Sequence, residues 1–233
     1  MVLILRSLLF NILFFGVAGS AAVLGSPLLL GPKRFQRRSM AQLARLLVWI
    51  MEKTCGIEVR VSGRENIPPQ GAALIASKHQ SAFDTLVWFA LVPDVTYVMK
   101  QELSGIPFYG AFARRAGMIS VDRAGGAKAM RQMMREAQVS AREGRQIVIF
   151  PEGTRTTAGE LNPWHPGIVA LASAVKLPVI PVATNSGKFW ARHHFIKRPG
   201  VLEIRILPAL RVPRDELLAT LERVIEAEQR VLD

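Results

Sequence analysis

One histidine and one aspartate lie five positions apart in a short polar segment, KHQSAFD, that begins at Lys78. A neutral imidazole takes a hydroxyl proton near neutral pH, and a carboxylate partner fixes its tautomer and stabilises the imidazolium. On one continuous helix, at about 100° per residue, His79 and Asp84 would point in different directions. We therefore expect His79 in a loop, with Ser81 as the N-cap of a helix and Asp84 in its first turn. This arrangement predicts a His-Asp pair.

The same segment has a purely structural interpretation. Ser81 and Asp84 have the spacing of a capping box, in which the two side chains satisfy the first N–H groups of a helix. His79 would then be an ordinary loop residue, and spacing alone does not separate the two interpretations.

A second segment, FPEGTR, follows an apolar stretch and contains Glu152, Gly153, Thr154 and Arg155. Gly153 permits a close backbone approach, Thr154 offers a hydroxyl, and the planar fork of Arg155 suits phosphate oxygens. The segment predicts an anion-binding loop. A common surface turn with a solvated arginine is the alternative.

Two further cations, Lys100 and Arg123, end two predicted strands. If these strands run parallel, their ends meet at one edge of the sheet, and both cations could join Arg155 around a single phosphate. The alternative is a pair of surface charges.

Short apolar runs alternate with helical stretches beyond Gly56, which predicts an α/β fold with a mainly parallel central sheet flanked by helices. Predicted strands are Ile57–Val61, Ala72–Ala76, Val95–Met99, Gly117–Val121, Gln146–Phe150, Val179–Ala183 and Leu202–Leu207. Predicted helices are Ala82–Leu91, Ile106–Arg115, Ala127–Arg142, Gly167–Lys176 and Arg214–Val231.

The N-terminal segment indicates membrane attachment. From Ser7 to Leu30 the chain carries no formal charge, and about 20 apolar residues match the thickness of a bilayer. Met40–Met51 has the apolar spacing of a second, amphipathic helix. We therefore divide the chain into a membrane-anchoring helical segment, 1–55, and a catalytic domain, 56–233. The alternatives are a cleavable signal peptide and a hairpin that dips into one leaflet.

Composition agrees with a membrane surface. Half of the residues are hydrophobic, while the net charge is +12. The basic cluster after the apolar segment predicts that the main domain faces the cytoplasm. Such charge attracts any polyanion, but we predict no nucleic-acid partner, because no binding motif accompanies it.

The histidines lack metal-ligand spacing, so we predict neither metal nor cofactor. The lone Cys55 permits no intrachain disulfide.

In chain order, these motifs resemble the four blocks of the glycerolipid acyltransferase family. The blocks are His-x4-Asp, the KxEL stretch with Gly-x4-Asp-Arg ending at Arg123, FPEGTR, and the apolar stretch Val179–Val182. Within the family, the bacterial 1-acylglycerol-3-phosphate acyltransferases are the nearest match. Four blocks in order are far more specific than any one of them.

This resemblance implies a reaction and a set of residue roles. His79 would take the proton of the sn-2 hydroxyl of a lysophospholipid, which attacks the thioester of acyl-CoA or acyl carrier protein, and Asp84 would orient the imidazole. The product would be phosphatidic acid, made at the cytoplasmic membrane. Residues implied in binding the glycerol phosphate are Arg123, Glu152, Gly153 and Arg155, with Thr154 and Lys100 as further candidates.

Two departures from the family pattern leave the acceptor open. Many relatives have Asn before the catalytic histidine where this chain has Lys78, and an FKxG-like stretch appears here as WHPG, starting at Trp164. The alternatives are an acyltransferase for another lyso-lipid, such as lyso-ornithine lipid, and an inactive lipid-binding membrane protein.

Overall fold

A computed structural model describes residues 1–92, 94–157, 159–160 and 162–232. These residues form one seven-stranded sheet, whose strands are β1 Ile57–Ser62, β2 Ala73–Ser77, β3 Val95–Lys100, β4 Ile119–Val121, β5 Gln146–Ile149, β6 Val179–Thr184 and β7 Gly200–Ile206. Their order across the sheet is β1-β7-β6-β2-β5-β3-β4. Neighbouring strands run parallel except β6 and β7, which are antiparallel. The predicted α/β fold with a mainly parallel sheet is therefore confirmed.

All seven predicted strands are present, with ends that differ from the sequence prediction by up to two residues. Every residue of β2, β5 and β6 is buried, because helices cover both faces of the sheet at its centre.

Among the described residues, two α-helices precede the sheet and six accompany it. They are α1 Val2–Leu24, α2 Lys33–Cys55, α3 Phe83–Leu91, α4 Tyr109–Ala116, α5 Gly126–Arg142, α6 Gly167–Val175, α7 Ser186–Phe189 and α8 Arg214–Leu232. The predicted second N-terminal helix is longer than expected at both ends. It stops where Gly56 takes a left-handed conformation, in which a helix commonly ends.

Two sequence predictions at helix starts were wrong. Helix α4 was expected from Ile106 but begins at Tyr109, because a short 3-10 helix, Gln101–Gly105, and Pro107 precede it. Helix α3 begins at Phe83, so that Ala82, not Ser81, is its N-cap.

The sheet separates two apolar cores. Helices α1, α2 and α3 pack on one face with Leu47, Trp88 and Ile204, whereas α5, α6 and α8 pack on the other with Ile147 and Leu221. Strands β2 and β5 are parallel neighbours at the centre. The residues that follow them therefore leave the sheet side by side at the same edge.

Helix α1 is long and apolar enough to cross a membrane. Most of its large apolar side chains are exposed, but Phe10 is fully buried and its ring meets Trp190 edge-on at a centroid distance of 5.0 Å. The hydroxyl of Ser7 accepts the backbone N–H of Lys197 at 2.9 Å. One side of α1 is thus attached to the rest of the protein while the other is uncovered.

Candidate active site

The loop between β2 and α3 brings His79 and Asp84 together. Their Nδ1 and Oδ2 atoms are 3.1 Å apart, and the Asp84 carboxylate is 2% exposed. The backbone N–H groups of Gln80 and Ser81 donate to the same Oδ2 atom at 2.7 and 2.8 Å. Three donors therefore fix the carboxylate against the imidazole.

The other imidazole nitrogen, Nε2, lies on the side of the ring away from the carboxylate. Because the Nδ1–H group of His79 donates a hydrogen bond to the carboxylate, Nε2 carries the lone pair in the neutral ring. Across the described parts of the chain, no protein group hydrogen-bonds this Nε2. The side chain is 12% exposed, so the loop holds a proton acceptor at the edge of the protein interior.

An aromatic ring supports the flat side of the imidazole. Phe150, which follows β5, stacks on His79 with ring centroids 4.1 Å apart and an interplanar angle of 22°. Phe150 in turn stacks on Tyr97, whose hydroxyl donates to the carbonyl of Thr85 at 2.7 Å. The orientation of the imidazole is thus fixed at its edge by a carboxylate and on its face by a phenyl ring.

The FPEGTR segment forms a turn directly beside this loop. The N–H of Gly153 donates to the Phe150 carbonyl at 2.9 Å, and Gly153 has a φ of +68°, a conformation in which glycine avoids strain. The guanidinium of Arg123, which follows β4, donates to the Gly153 carbonyl. Arg123 and Thr154 are exposed and Arg155 is half-buried. Gly153, Thr154 and Arg155 therefore lie in one turn, and Arg123 contacts it.

Two further predicted phosphate-binding residues, Lys100 and Arg155, are placed by neighbouring parts of the chain. Lys100 pairs in register with Val121, two residues before Arg123, so these two predicted cations do follow neighbouring parallel strand ends. The carbonyl of Arg155 accepts a hydrogen bond from the guanidinium of Arg192 at 3.0 Å. Arg192 adds a cation that the sequence motifs did not identify.

The carboxylate of Glu152 points inward. Its Oε1 atom is 2.7 Å from the Lys78 ammonium, and its Oε2 atom accepts the backbone N–H of His79 at 2.8 Å. Burial raises the pKa of Glu152, and the Lys78 ammonium opposes that effect. Both oxygens of this predicted substrate-binding residue are thus occupied by protein donors. Glu152 lies 73 positions from His79 in sequence.

A cavity of about 300 Å³ opens beside the turn. Phe150 contributes to its wall as well as stacking on His79, and Arg123, Gly153 and His165 lie along it. Its apolar wall comes from β3, β5 and helix α5, through Val98, Met99, Met130, Met133 and Ile149. A larger cavity of about 550 Å³ lies elsewhere and includes none of the predicted site residues.

Fold and site together define an α/β enzyme domain with a His-Asp pair next to a basic turn and an apolar cavity. The chain belongs to the acyltransferase family, whose family model, described as "Acyltransferase", matches residues 58–185. The predicted family is therefore confirmed.

Named relatives agree with this membership. The chain is 32% identical to the 1-acyl-sn-glycerol-3-phosphate acyltransferase of Pseudomonas aeruginosa over 88% of its length and 80% of the relative's. It is 30% identical to 1-acyl-sn-glycerol-3-phosphate acyltransferase alpha of Mus musculus, of which it spans 60%. The crystal structure of the 1-acyl-sn-glycerophosphate acyltransferase PlsC from Thermotoga maritima has the same fold, with a TM-score of 0.78, 22% identity and coverage of 98% and 96% of the two chains.

Proposed function

We propose that this protein transfers a fatty acyl group from a thioester to the sn-2 hydroxyl of 1-acylglycerol-3-phosphate, with phosphatidic acid as the product. The single observation that carries the proposal is the pair formed by His79 and Asp84, because it leaves Nε2 as an unoccupied proton acceptor. The names of the Pseudomonas and mouse relatives support the same reaction.

The reaction needs no nucleophile from the protein. His79 Nε2 takes the proton of the acceptor hydroxyl while its oxygen attacks the thioester carbonyl, so that a C–O bond forms and a tetrahedral oxyanion results. Asp84 stabilises the imidazolium. As the oxyanion collapses the C–S bond breaks, and the thiolate of CoA or of acyl carrier protein takes the proton back from the imidazolium.

The basic turn suits the phosphate of the acceptor. Arg123 and Arg155 supply the charge, and the hydroxyl of Thr154 and the flexible backbone of Gly153 supply further contacts. Lys100, at the end of the neighbouring strand, is a more distant contributor. We assign Glu152 to supporting the loop, because its carboxylate is buried and occupied.

The apolar cavity suits a hydrocarbon chain. Its wall combines methionine and branched aliphatic side chains, which adapt to a flexible apolar ligand. Since Phe150 contacts both the cavity and the imidazole, an acyl chain in the cavity would have its carboxyl end close to His79.

Helix α1 suits attachment to a membrane. Its exposed side carries large apolar residues, and basic residues follow it at the start of α2. Apolar burial and attraction to anionic lipid act together at such a surface. We place the catalytic domain on the cytoplasmic side, from the positive-inside bias of those basic residues. The division at residue 55 follows from the same proposal.

Purified protein in detergent, incubated with lysophosphatidate and labelled acyl-CoA or acyl carrier protein, tests the function. We expect His79→Ala to lower kcat by about 10²- to 10⁴-fold, the usual contribution of a general base. His194→Ala is the matched control, because His194 is an exposed histidine outside the site. Equal turnover by wild type and His79→Ala would remove His79 from the mechanism.

The same assay tests the alternatives for the acceptor. Turnover of lyso-ornithine lipid in preference to lysophosphatidate would replace the proposed acceptor and reduce the role of the basic turn. Vesicle binding without acyl transfer to either acceptor would indicate an inactive lipid-binding protein.

A further inference from the structure

A buried lysine precedes the proposed base. Lys78 is 1% exposed, and its ammonium lies 2.7 Å from Glu152 Oε1 and 2.5 Å from Glu226 Oε1. A charge removed from water in this way is tolerated only when it is paired and hydrogen-bonded. The two carboxylates provide that pairing, and one of them belongs to the C-terminal helix α8.

The lysine acts on the backbone of His79 through Glu152. While Oε1 of Glu152 faces Lys78, Oε2 accepts the His79 N–H at 2.8 Å. On the other side, the N–H and the hydroxyl of Thr156 both donate to the His79 carbonyl, at 2.8 and 3.1 Å. The peptide groups on both sides of His79 are therefore held by residues of the FPEGTR turn and its extension.

Lys78 cannot itself serve the substrate. Its side chain does not reach solvent, and its ammonium is engaged by Glu152 and Glu226. Burial lowers the pKa of Lys78, but the two carboxylates outweigh that effect and the net shift is upward. The ammonium thus keeps its proton at neutral pH and is neither a base nor a phosphate ligand.

We propose that Lys78 is a positioning residue that, by bridging Glu152 and Glu226, fixes the carboxylate holding the His79 backbone and so makes helix α8 part of the support of the base. This inference rests on the proposed function, since it presupposes that His79 is the general base. It also gives Lys78 a role that a short polar residue at this position could not perform, because Asn would not reach both carboxylates.

The mild test is Glu226→Gln, which removes one of the two negative charges paired with Lys78 and leaves the volume of the side chain nearly unchanged. Loosening the support should misplace the imidazole by a fraction of an ångström, so we expect kcat to fall about tenfold. The KM for lysophosphatidate and for acyl-CoA should stay within about twofold of wild type, because no substrate contact is lost. Lys78→Met should have a larger effect in the same direction.

Glu228→Gln is the matched control. Glu228 lies on the same helix and pairs with Arg205 at 2.5 Å, so the variant removes the same charge from a more exposed ion pair away from His79. Its kcat should equal that of wild type. The Lys78→Met/Glu226→Gln double variant should lose no more than Lys78→Met alone, because both changes act through one network.

Thermal unfolding of each variant separates positioning from simple loss of fold. A decrease in kcat that matches a decrease in the folded fraction at the assay temperature would overturn the proposal, as would unchanged kcat in both Glu226→Gln and Lys78→Met. If Lys78→Met does not fold, Glu226→Gln against Glu228→Gln decides. An inactive wild type would overturn this proposal and the proposed function together, whereas active wild type with fully active variants would overturn the role of Lys78 alone.

Discussion

One oxygen atom of Asp84 both contacts the imidazole of His79 and accepts backbone N–H groups of the preceding turn. Oδ2 accepts the N–H groups of Gln80 and Ser81 and also faces Nδ1 of His79 at 3.1 Å. A structural role and contact with the imidazole are therefore compatible for Asp84, although its carboxylate binds the turn before α3 and the N-cap of the helix is Ala82. The backbone donors orient the carboxylate, and the oriented carboxylate orients the ring.

Asp84→Asn should separate the two roles of this residue. The amide oxygen of asparagine can accept the same backbone N–H groups of Gln80 and Ser81, so we expect the free energy of unfolding to change by no more than about 1.5 kcal/mol. The neutral amide no longer stabilises the imidazolium, so kcat should fall by about 10²-fold or more with little change in KM. Steady-state kinetics with lysophosphatidate measure this. A raised KM with normal kcat would mean that Asp84 serves binding instead.

Arg123→Ala should weaken binding of a phosphate-bearing acceptor. Arg123 is exposed and its guanidinium contacts the turn at the Gly153 carbonyl, where a phosphate would dock. Losing a charged hydrogen bond of about 1.5–3 kcal/mol should raise the KM for lysophosphatidate at least tenfold. Arg131→Ala, an exposed arginine on α5, is the control and should leave KM unchanged. An equal effect in both variants would indicate general charge attraction.

Gly153→Ala should damage the same turn by a steric route. A Cβ at Gly153 would lie 2.9 Å from Cδ2 of His165 and 3.0 Å from Nη1 of Arg123, and the backbone there has φ of +68°. Gly71→Ala has the same kind of strain, with φ of +91°, but no heavy atom within 4 Å. Both should lose about 1–2 kcal/mol of stability, and only Gly153→Ala should raise the KM for the acceptor. Similar kinetics for both variants would contradict this role for the turn.

Most of the fold follows from local patterns in the sequence. Apolar runs such as the one in Gln146–Ile149 are bounded by turn residues. Each strand was therefore predictable, with its ends correct to within two residues. The orientation of β1 and β7, opposite to the other strands, was not predicted. It depends on the antiparallel pairing of β7 with β6 and on the parallel pairing of β1 with β7, a segment about 140 residues away. Helix α7 was also missed, since four residues are too few for an apolar period to emerge.

The site was predictable in its motifs but not in its interior contacts. His79 and Asp84 lie in one short segment, and their approach follows from a loop placed before a helix. The inward direction of Glu152 could not be predicted, because it depends on the adjacency of β2 and β5 and on Glu226 in α8. A lysine directly before the proposed base was the one available signal.

Stability at alkaline pH should depend on Lys78. Its pKa is raised in the folded protein, so the stabilisation is fully present below the unfolded value of about 10.4 and is lost as pH rises through the folded pKa. The difference in free energy of unfolding between wild type and Lys78→Met should therefore shrink above about pH 10.5. Urea unfolding between pH 8 and pH 11.5 measures it. A constant difference over that range would mean that the charge of Lys78 contributes nothing.

Charged residues on the uncovered side of α1 should abolish membrane attachment. Leu8, Ile12 and Phe15 are exposed on α1, and burying each in lipid contributes about 1.5–3 kcal/mol. Replacing all three with Asp should therefore lower partitioning onto vesicles containing phosphatidylglycerol by more than 10³-fold, as measured by flotation. Turnover of a short-chain, water-soluble acceptor in detergent should persist, because these residues lie outside the site.

Val139→Asp and Val231→Asp are the controls for this change. Both valines are exposed, on α5 and α8, so combining the two substitutions adds two of the three negative charges at apolar surface positions away from α1. They should float with vesicles as wild type does. Flotation of the α1 variant at the wild-type level would place the membrane contact elsewhere, and loss of flotation in the controls as well would mean that net charge, rather than the apolar side of α1, governs attachment.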